Sequence, residues 1–147
     1  LAGLRMGWIA TSDMDVIHQI HERRDYDTIS CGVLDEMLAS MALANKEKIF
    51  ERNRAILLKN REILDRWVNE TEGVHYVKPV AGTTALVYYD KDIPSYDLCV
   101  RLIREKGLLF TPGECFEMEG CVRIVYAFDS KLLRQGLDKF TEFLKEN

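Results

Sequence analysis

No part of this 147-residue sequence is apolar for long. The longest segment without a charged residue runs from Pro79 to Tyr89, and Pro79 and Gly82 interrupt it. A membrane-spanning helix needs roughly 18 apolar residues or more in succession, so no span is expected. None of the four cysteines, Cys31, Cys99, Cys115 and Cys121, pairs with another at C-x-x-C spacing. That argues against a zinc or thioredoxin-like site and for reduced, small apolar thiols in a cytoplasmic protein. The basic residues form no stripe: the net charge is −4 and acids and bases are interspersed. A nucleic-acid partner is therefore not expected. Internal repeats, low-complexity tracts and a signal-peptide pattern are also missing. The sequence starts at Leu1 without an initiator methionine, and the expectation is a truncated or cleaved piece of a longer chain.

What is present is the composition of a globular protein, 47% apolar and 30% charged. Met6–Thr11 is a short apolar run that reads as a buried strand. Ser12, with Asp15 three residues on, resembles a capping box for a helix from about Met14 to His21. Arg23–Thr28 reads as a polar loop, and a second helix is expected from Gly32 to Asn45. From Lys46 to Glu72 the pattern is one long helix: Ile49, Ile56 and Ile63 recur every seven residues, and Leu57, Leu64, Trp67 and Val68 widen the stripe. Gly73 is its stop.

Beyond Gly73 the texture changes to short strands and shorter helices. His75–Val77 and Thr84–Tyr89 read as strands with a turn at Pro79 and Gly82. Ser95 is expected to cap a helix through Lys106 with Leu98, Cys99, Leu102 and Ile103 on its inner face, ended by Gly107. A strand Leu108–Phe110, a turn at Thr111–Gly113 and a strand Cys121–Tyr126 follow. Asp129 or Ser130 caps a terminal helix whose Leu133, Leu137, Phe140 and Leu144 form one face. The expected class is α/β. Residues 1–45 read as the remnant of a large domain. Residues 46–147 read as a long connecting helix and a small α+β domain, an antiparallel sheet covered by helices.

Few residues invite chemistry. Arg5 lies between Gly3 and Gly7; a guanidinium fork matches phosphate oxygens, and the glycines permit close backbone approach. Arg123 sits in the apolar strand, where Val122 and Ile124 share one face and Arg123 shares the other with Val125. Periodicity alone makes it a solvent-facing arginine on a half-exposed sheet. His18 and His21, with Asp13 and Asp15 nearby, lack a third strong ligand, so no metal site is expected.

Two runs carry more than composition does. Leu1-Ala2-Gly3-Leu4-Arg5-Met6-Gly7 resembles the segment that follows the cofactor lysine in class I/II aminotransferases. Leu109–Phe116, with its Pro112-Gly113 and Phe116, followed by Gly120–Ile124, resembles that family's late Pro-Gly loop and arginine strand. The family builds fold-type I pyridoxal-phosphate enzymes.

The resemblance implies that Arg5, with Gly3, contacts the phosphate of pyridoxal 5′-phosphate, and that Arg123 holds the α-carboxylate of an amino-acid substrate exchanged with a 2-oxo acid. It implies a cytoplasmic homodimer. It also implies that the Schiff-base lysine lies upstream of Leu1, since Lys78 and Lys106 are not at the motif position, and that this fragment is inactive alone. Arg23 or Arg24 is a weaker candidate for a substrate side-chain carboxylate. C–S lyases, decarboxylases and aminocyclopropane-carboxylate-synthase-like enzymes share the motifs, and a non-catalytic module derived from the family is a further alternative.

Overall fold

The computed structural model describes residues 1–146. The chain divides into two compact units, Leu1–Phe50 and the remainder from Glu51 onward.

The first unit is helical. A single 3-10 turn at Ala2–Leu4 precedes α1 (Met14–Asp27) and α2 (Val33–Ala44). The expected strand Met6–Thr11 does not form: among the described residues no strand precedes Val74, and Trp8 and Ile9 are 75% and 72% exposed. An apolar run becomes a strand only where another strand takes its backbone hydrogen bonds, and this unit offers none. Asp13, not Ser12, caps α1; its Oδ1 accepts from the backbone N–H groups of Asp15 (3.0 Å) and Val16 (3.2 Å). The helix also runs on through Arg23 and Arg24, where a loop was expected. That stretch contains neither glycine nor proline to stop it, and it ends when the N–H groups of Thr28 and Ile29 both turn back to the Arg24 carbonyl. On α2, Leu34, Met37, Leu38 and Met41 are all exposed, and neither α1 nor α2 has a buried residue.

α3 spans Lys46–Glu70, and its stripe is buried from Asn60 onward: Ile63, Leu64, Trp67 and Val68. Gly73 follows in the left-handed region at φ 75°, where a side chain would be strained. The second unit is then built on a four-stranded antiparallel sheet of order β1-β2-β4-β3. The strands are β1 (Val74–Tyr76), β2 (Thr84–Tyr89), β3 (Thr111–Pro112) and β4 (Cys121–Val125). Between them lies α4 (Ser95–Lys106), and α5 (Ser130–Glu146) closes the described chain.

Alternation decides which face is covered. Ala85 and Val87 of β2 pair with Ile124 and Val122 of β4, and all four are buried. They pack with Leu98 and Leu102 of α4 and with Leu133, Leu137, Phe140, Phe143 and Leu144 of α5 in one core. Each such Val, Ile, Leu or Phe side chain contributes about 1.5–3 kcal/mol by leaving water. Trp67 stacks on Phe140 at 5.8 Å, and its Nε1 donates to Thr141 Oγ1 at 2.8 Å, fixing α3 against α5.

Smaller expectations need correction. Ile103 is 47% exposed, so the inner face of α4 is Leu98, Cys99 and Leu102. Ser95 is the first helical residue and not the cap. Asp129 does cap α5, accepting at 2.9 Å from the N–H groups of both Lys131 and Leu132. Leu108–Phe110 is not a strand: the Leu108 N–H closes the end of α4 on the Leu102 carbonyl, and pairing starts at Thr111, expected to be a turn.

Candidate functional site

The uncovered face of the sheet carries Arg123. Across the ladder it stands opposite Leu86 on one side and Thr111 on the other. Directly opposed residues of an antiparallel pair bring their side chains together, and here Arg123 Nη2 donates to Thr111 Oγ1 at 3.2 Å. The guanidinium carbon lies 5.0 Å from the centre of the Phe116 ring. Nε is buried and has no hydrogen-bond partner. Among the described residues no acceptor faces Nη1, which leaves that end of the fork available to a ligand.

Beside it is a cleft of about 370 Å³ lined by Leu109, Phe110, Thr111, Arg123, Phe128 and Leu132, among others. The arrangement is an apolar slot with one cation at its edge, suited to a carboxylate attached to an organic body. A larger groove lined by Glu70, Glu72, Asp90, Lys91 and Lys145, among others, contains none of the expected site residues.

Phe116 reaches Arg123 because of local backbone chemistry. It ends a 3-10 turn, Gly113–Phe116, inside the Pro-Gly loop expected from the sequence. A Cβ on Gly113 would lie 2.0 Å from the Met118 carbonyl oxygen and 2.6 Å from Cys121 Sγ, so only glycine lets the turn sit this close to β4. The buried Ser95 anchors the turn: its Oγ accepts from the Glu114 N–H at 3.0 Å, and its own N–H donates to Glu119 Oε2 at 2.9 Å. That backbone bond holds the Glu119 carboxyl below its ordinary value.

Arg5 belongs to the first unit, as the exposed residue that closes the 3-10 turn, at φ 52°. Its Nη1 makes one long contact, 3.5 Å, to the Ala2 carbonyl, which leaves most of the fork for an anion. A Cβ placed on Gly3 or Gly7 would meet nothing within 4 Å, so the space before both is open. Arg24 Nη2 contacts Cys31 Sγ at 3.7 Å, whereas Arg23 is exposed. Among the described residues no group of three or more His, Cys, Asp or Glu could hold a metal ion, and no helix is long and apolar enough to cross a membrane.

Lys78 and Lys106, the two lysines weighed in the sequence, are both paired with carboxylates. Lys78 donates to Asp65 at 2.5 Å. Lys106 donates to Glu146, which holds its ammonium above the ordinary value. A lysine that forms a Schiff base needs the shift opposite to that of Lys106.

Comparison with known proteins follows the same pattern. The family model described as aminotransferase class I and II matches residues 1–140. A PLP-dependent aminotransferase of known structure from Streptococcus suis 89-1591 is 40% identical and superposes with a TM-score of 0.93, over 98% of this chain and 38% of that one. Capreomycidine synthase from Streptomyces vinaceus is 29% identical over 145 residues, 98% of this chain and 37% of that protein. Aspartate aminotransferase from Sulfolobus acidocaldarius is 27% identical over 101 residues, 66% of this chain and 24% of that protein. The chain thus spans well under half the length of the relatives it matches. A four-stranded antiparallel sheet covered by helices corresponds to the C-terminal part of such fold-type I enzymes.

Proposed function

Since the chain belongs to the class I and II aminotransferase family, whose cofactor is pyridoxal phosphate, we propose that it is the substrate-gripping C-terminal part of an aminotransferase that exchanges an amino group between an amino acid and a 2-oxo acid. The observation that carries this reading is Arg123: a guanidinium fixed by Thr111, with its outer end open, at the edge of an apolar cleft.

The residues present fit the cofactor where they can be tested. Arg5 has an exposed fork with one weak internal contact, the state expected of a phosphate ligand, and Gly3 leaves the approach open. When bound, pyridoxal phosphate supplies the carbonyl and the electron-withdrawing ring that amino-group exchange requires. Arg5 anchors the phosphate end, and Arg123 takes the α-carboxylate through two parallel N–H···O bonds, which fixes the substrate's orientation and not merely its charge. No lysine of this chain stands at the motif position, so covalent attachment and proton transfer are assigned to residues outside it, and the 147-residue chain alone should not turn over. A homodimer is part of the same reading. The lyase and decarboxylase alternatives remain because Arg123 would grip any α-amino acid; capreomycidine synthase is one relative whose name is not that of an aminotransferase.

The test uses the whole protein that contains this chain. Arg123→Gln should raise KM for the amino acid at least tenfold, the loss expected when a charge-assisted pair worth about 1.5–3 kcal/mol is removed, and leave cofactor affinity unchanged. Arg5→Gln should do the reverse. An unchanged amino-acid KM in the Arg123 variant would sink the assignment.

A further inference from the structure

An arginine side chain on an open sheet face has four rotatable bonds and no reason to stop in one place; ordering it costs up to about 2 kcal/mol. Arg123 is nonetheless in a conformation that buries Nε with no acceptor. Burying an unpaired donor is unfavourable, so other contacts must select that conformation. Among the described residues two contacts are available: the neutral bond to Thr111 Oγ1 and the face of the Phe116 ring, 5.0 Å from Cζ.

The ring is the better suited to the task. Its negative face attracts the whole delocalised cation without using any N–H group. Thr111 takes one hydrogen of Nη2, which leaves the second hydrogen of Nη2 and both of Nη1 for a carboxylate. A ring on one face and a hydroxyl on one edge thus hold the fork in a plane while leaving its end free. The ring's own support is rigid: Gly113 packs directly on Met118 and Cys121, and the turn is tied to buried Ser95.

We propose that Phe116 is a positioning residue for carboxylate recognition, setting the plane of the Arg123 guanidinium through its ring face. This rests on the reading of Arg123 as the carboxylate site. It also explains why the Pro112-Gly113 turn matters to that site, since the turn is what brings the ring to the arginine.

The experiment follows the Arg123 Nε–H resonance in the whole protein that contains this chain, identified by its loss in Arg123→Gln, while 3-phenylpropionate is added as an unreactive carboxylate with an apolar body. The native chain should show the ring-current shift of a guanidinium over an aromatic face and should bind the probe. Phe116→Leu should remove that shift and weaken the probe about fivefold or more, within the range of cation–π contacts. Phe116→Tyr, which restores the face, should recover both. Phe116 is 39% exposed, so these variants should stay folded; Phe116→Met provides a second flexible apolar replacement that should behave as Leu does. Native affinity in Phe116→Leu and Phe116→Met, or no recovery in Phe116→Tyr, overturns the proposal and leaves Arg123 as the carboxylate site. A native chain whose Arg123 resonance ignores the probe overturns the carboxylate reading itself.

Discussion

Asn60 and Ser130 are joined by a 2.7 Å hydrogen bond, Ser130 Oγ donating to Asn60 Oδ1, across 70 residues of sequence. The same Asn60 donates from Nδ2 to the carbonyls of Tyr126 and Phe128, both at 2.7 Å. It is completely buried on α3, one of two buried polar residues among those described. One amide therefore satisfies the backbone where β4 ends and α5 begins, immediately after the strand that carries Arg123. Replacing Asn60 with Leu strands two carbonyls and a hydroxyl away from water. The expected loss is about 3 kcal/mol, from the cost of buried unsatisfied groups. Urea denaturation should show a lower midpoint with an unchanged slope; a midpoint equal to the native one would mean that water replaces the amide without penalty.

Gly113 makes a second, sharper demand. Its φ is not in the left-handed region, so the requirement is space and not backbone freedom. Alanine would set a methyl group 2.0 Å from a main-chain oxygen, which cannot rotate aside as a flexible side chain would. Gly113→Ala should destabilise the protein by about 1–3 kcal/mol, the usual range for overpacking. It should also move Phe116 off Arg123 and weaken carboxylate binding. Thermal melting and probe titration of the same variant check both effects. A variant that is stable yet binds poorly would locate the whole effect in the turn.

The acid limb of stability should have two named contributors. The hydrogen bond from Lys78, and next that from Tyr76, hold the Asp65 carboxyl below its ordinary value of 3.8. Tyr76 OH reaches Asp65 Oδ1 at 2.8 Å and is itself pushed up, first by burial and then by that bond. Glu119 is held below 4.5 by the Ser95 N–H. Depressed carboxyl values stabilise the folded state above the ordinary values, and that stabilisation is lost as pH falls through the lowered ones. Stability measured between about pH 2 and 6 should therefore fall less steeply in Asp65→Asn and in Glu119→Gln than in the native protein. Equal slopes would show that neither carboxylate is coupled to folding.

These residues mark how far the sequence was legible. Strand β2 and the face of α5 came directly from alternation and helical spacing, because both are half-buried and their patterns record which side is covered. The strand expected at Met6–Thr11 failed because an apolar run specifies a wish for burial and not a partner. The Arg23–Asp27 segment is helical and not a loop because charge alone does not end a helix, which needs a breaker or a cap. At the site, alternation put Arg123 on the outward face correctly, but its role came from resemblance to a family. Phe116 was visible as a motif letter without a task, since its contact depends on the fold of the turn. Asn60 had a faint signal: an amide on the apolar stripe of α3, between Ile56 and Leu57 before it and Ile63 and Leu64 after it. Nothing local could reveal that its partners lie at Tyr126, Phe128 and Ser130.

The cysteines supply a final prediction. Cys99 and Cys121 are buried and Cys115 is exposed. Burial pushes the Cys99 thiol from 9.0 up to about 11, and burial followed by the nearby Glu119 raises Cys121. Only the thiolate is nucleophilic, so at neutral pH Cys99 has a thiolate fraction about 100-fold below that of a thiol at 9.0, before any steric protection is counted. Iodoacetamide should modify Cys115 first, and Cys99 and Cys121 only on unfolding, as read by mass spectrometry of peptides over time. The same shift has a stability consequence with a definite sign. A thiol whose folded value is raised stabilises the protein fully below 9.0, and that contribution declines as pH rises toward about 11. Cys99→Ala should therefore flatten the alkaline limb while lowering stability at neutral pH through the lost packing. If Cys99 is labelled as fast as Cys115 in the native chain, the core between α4 and the Gly113–Phe116 turn is open, and the rigid support inferred for Phe116 is absent.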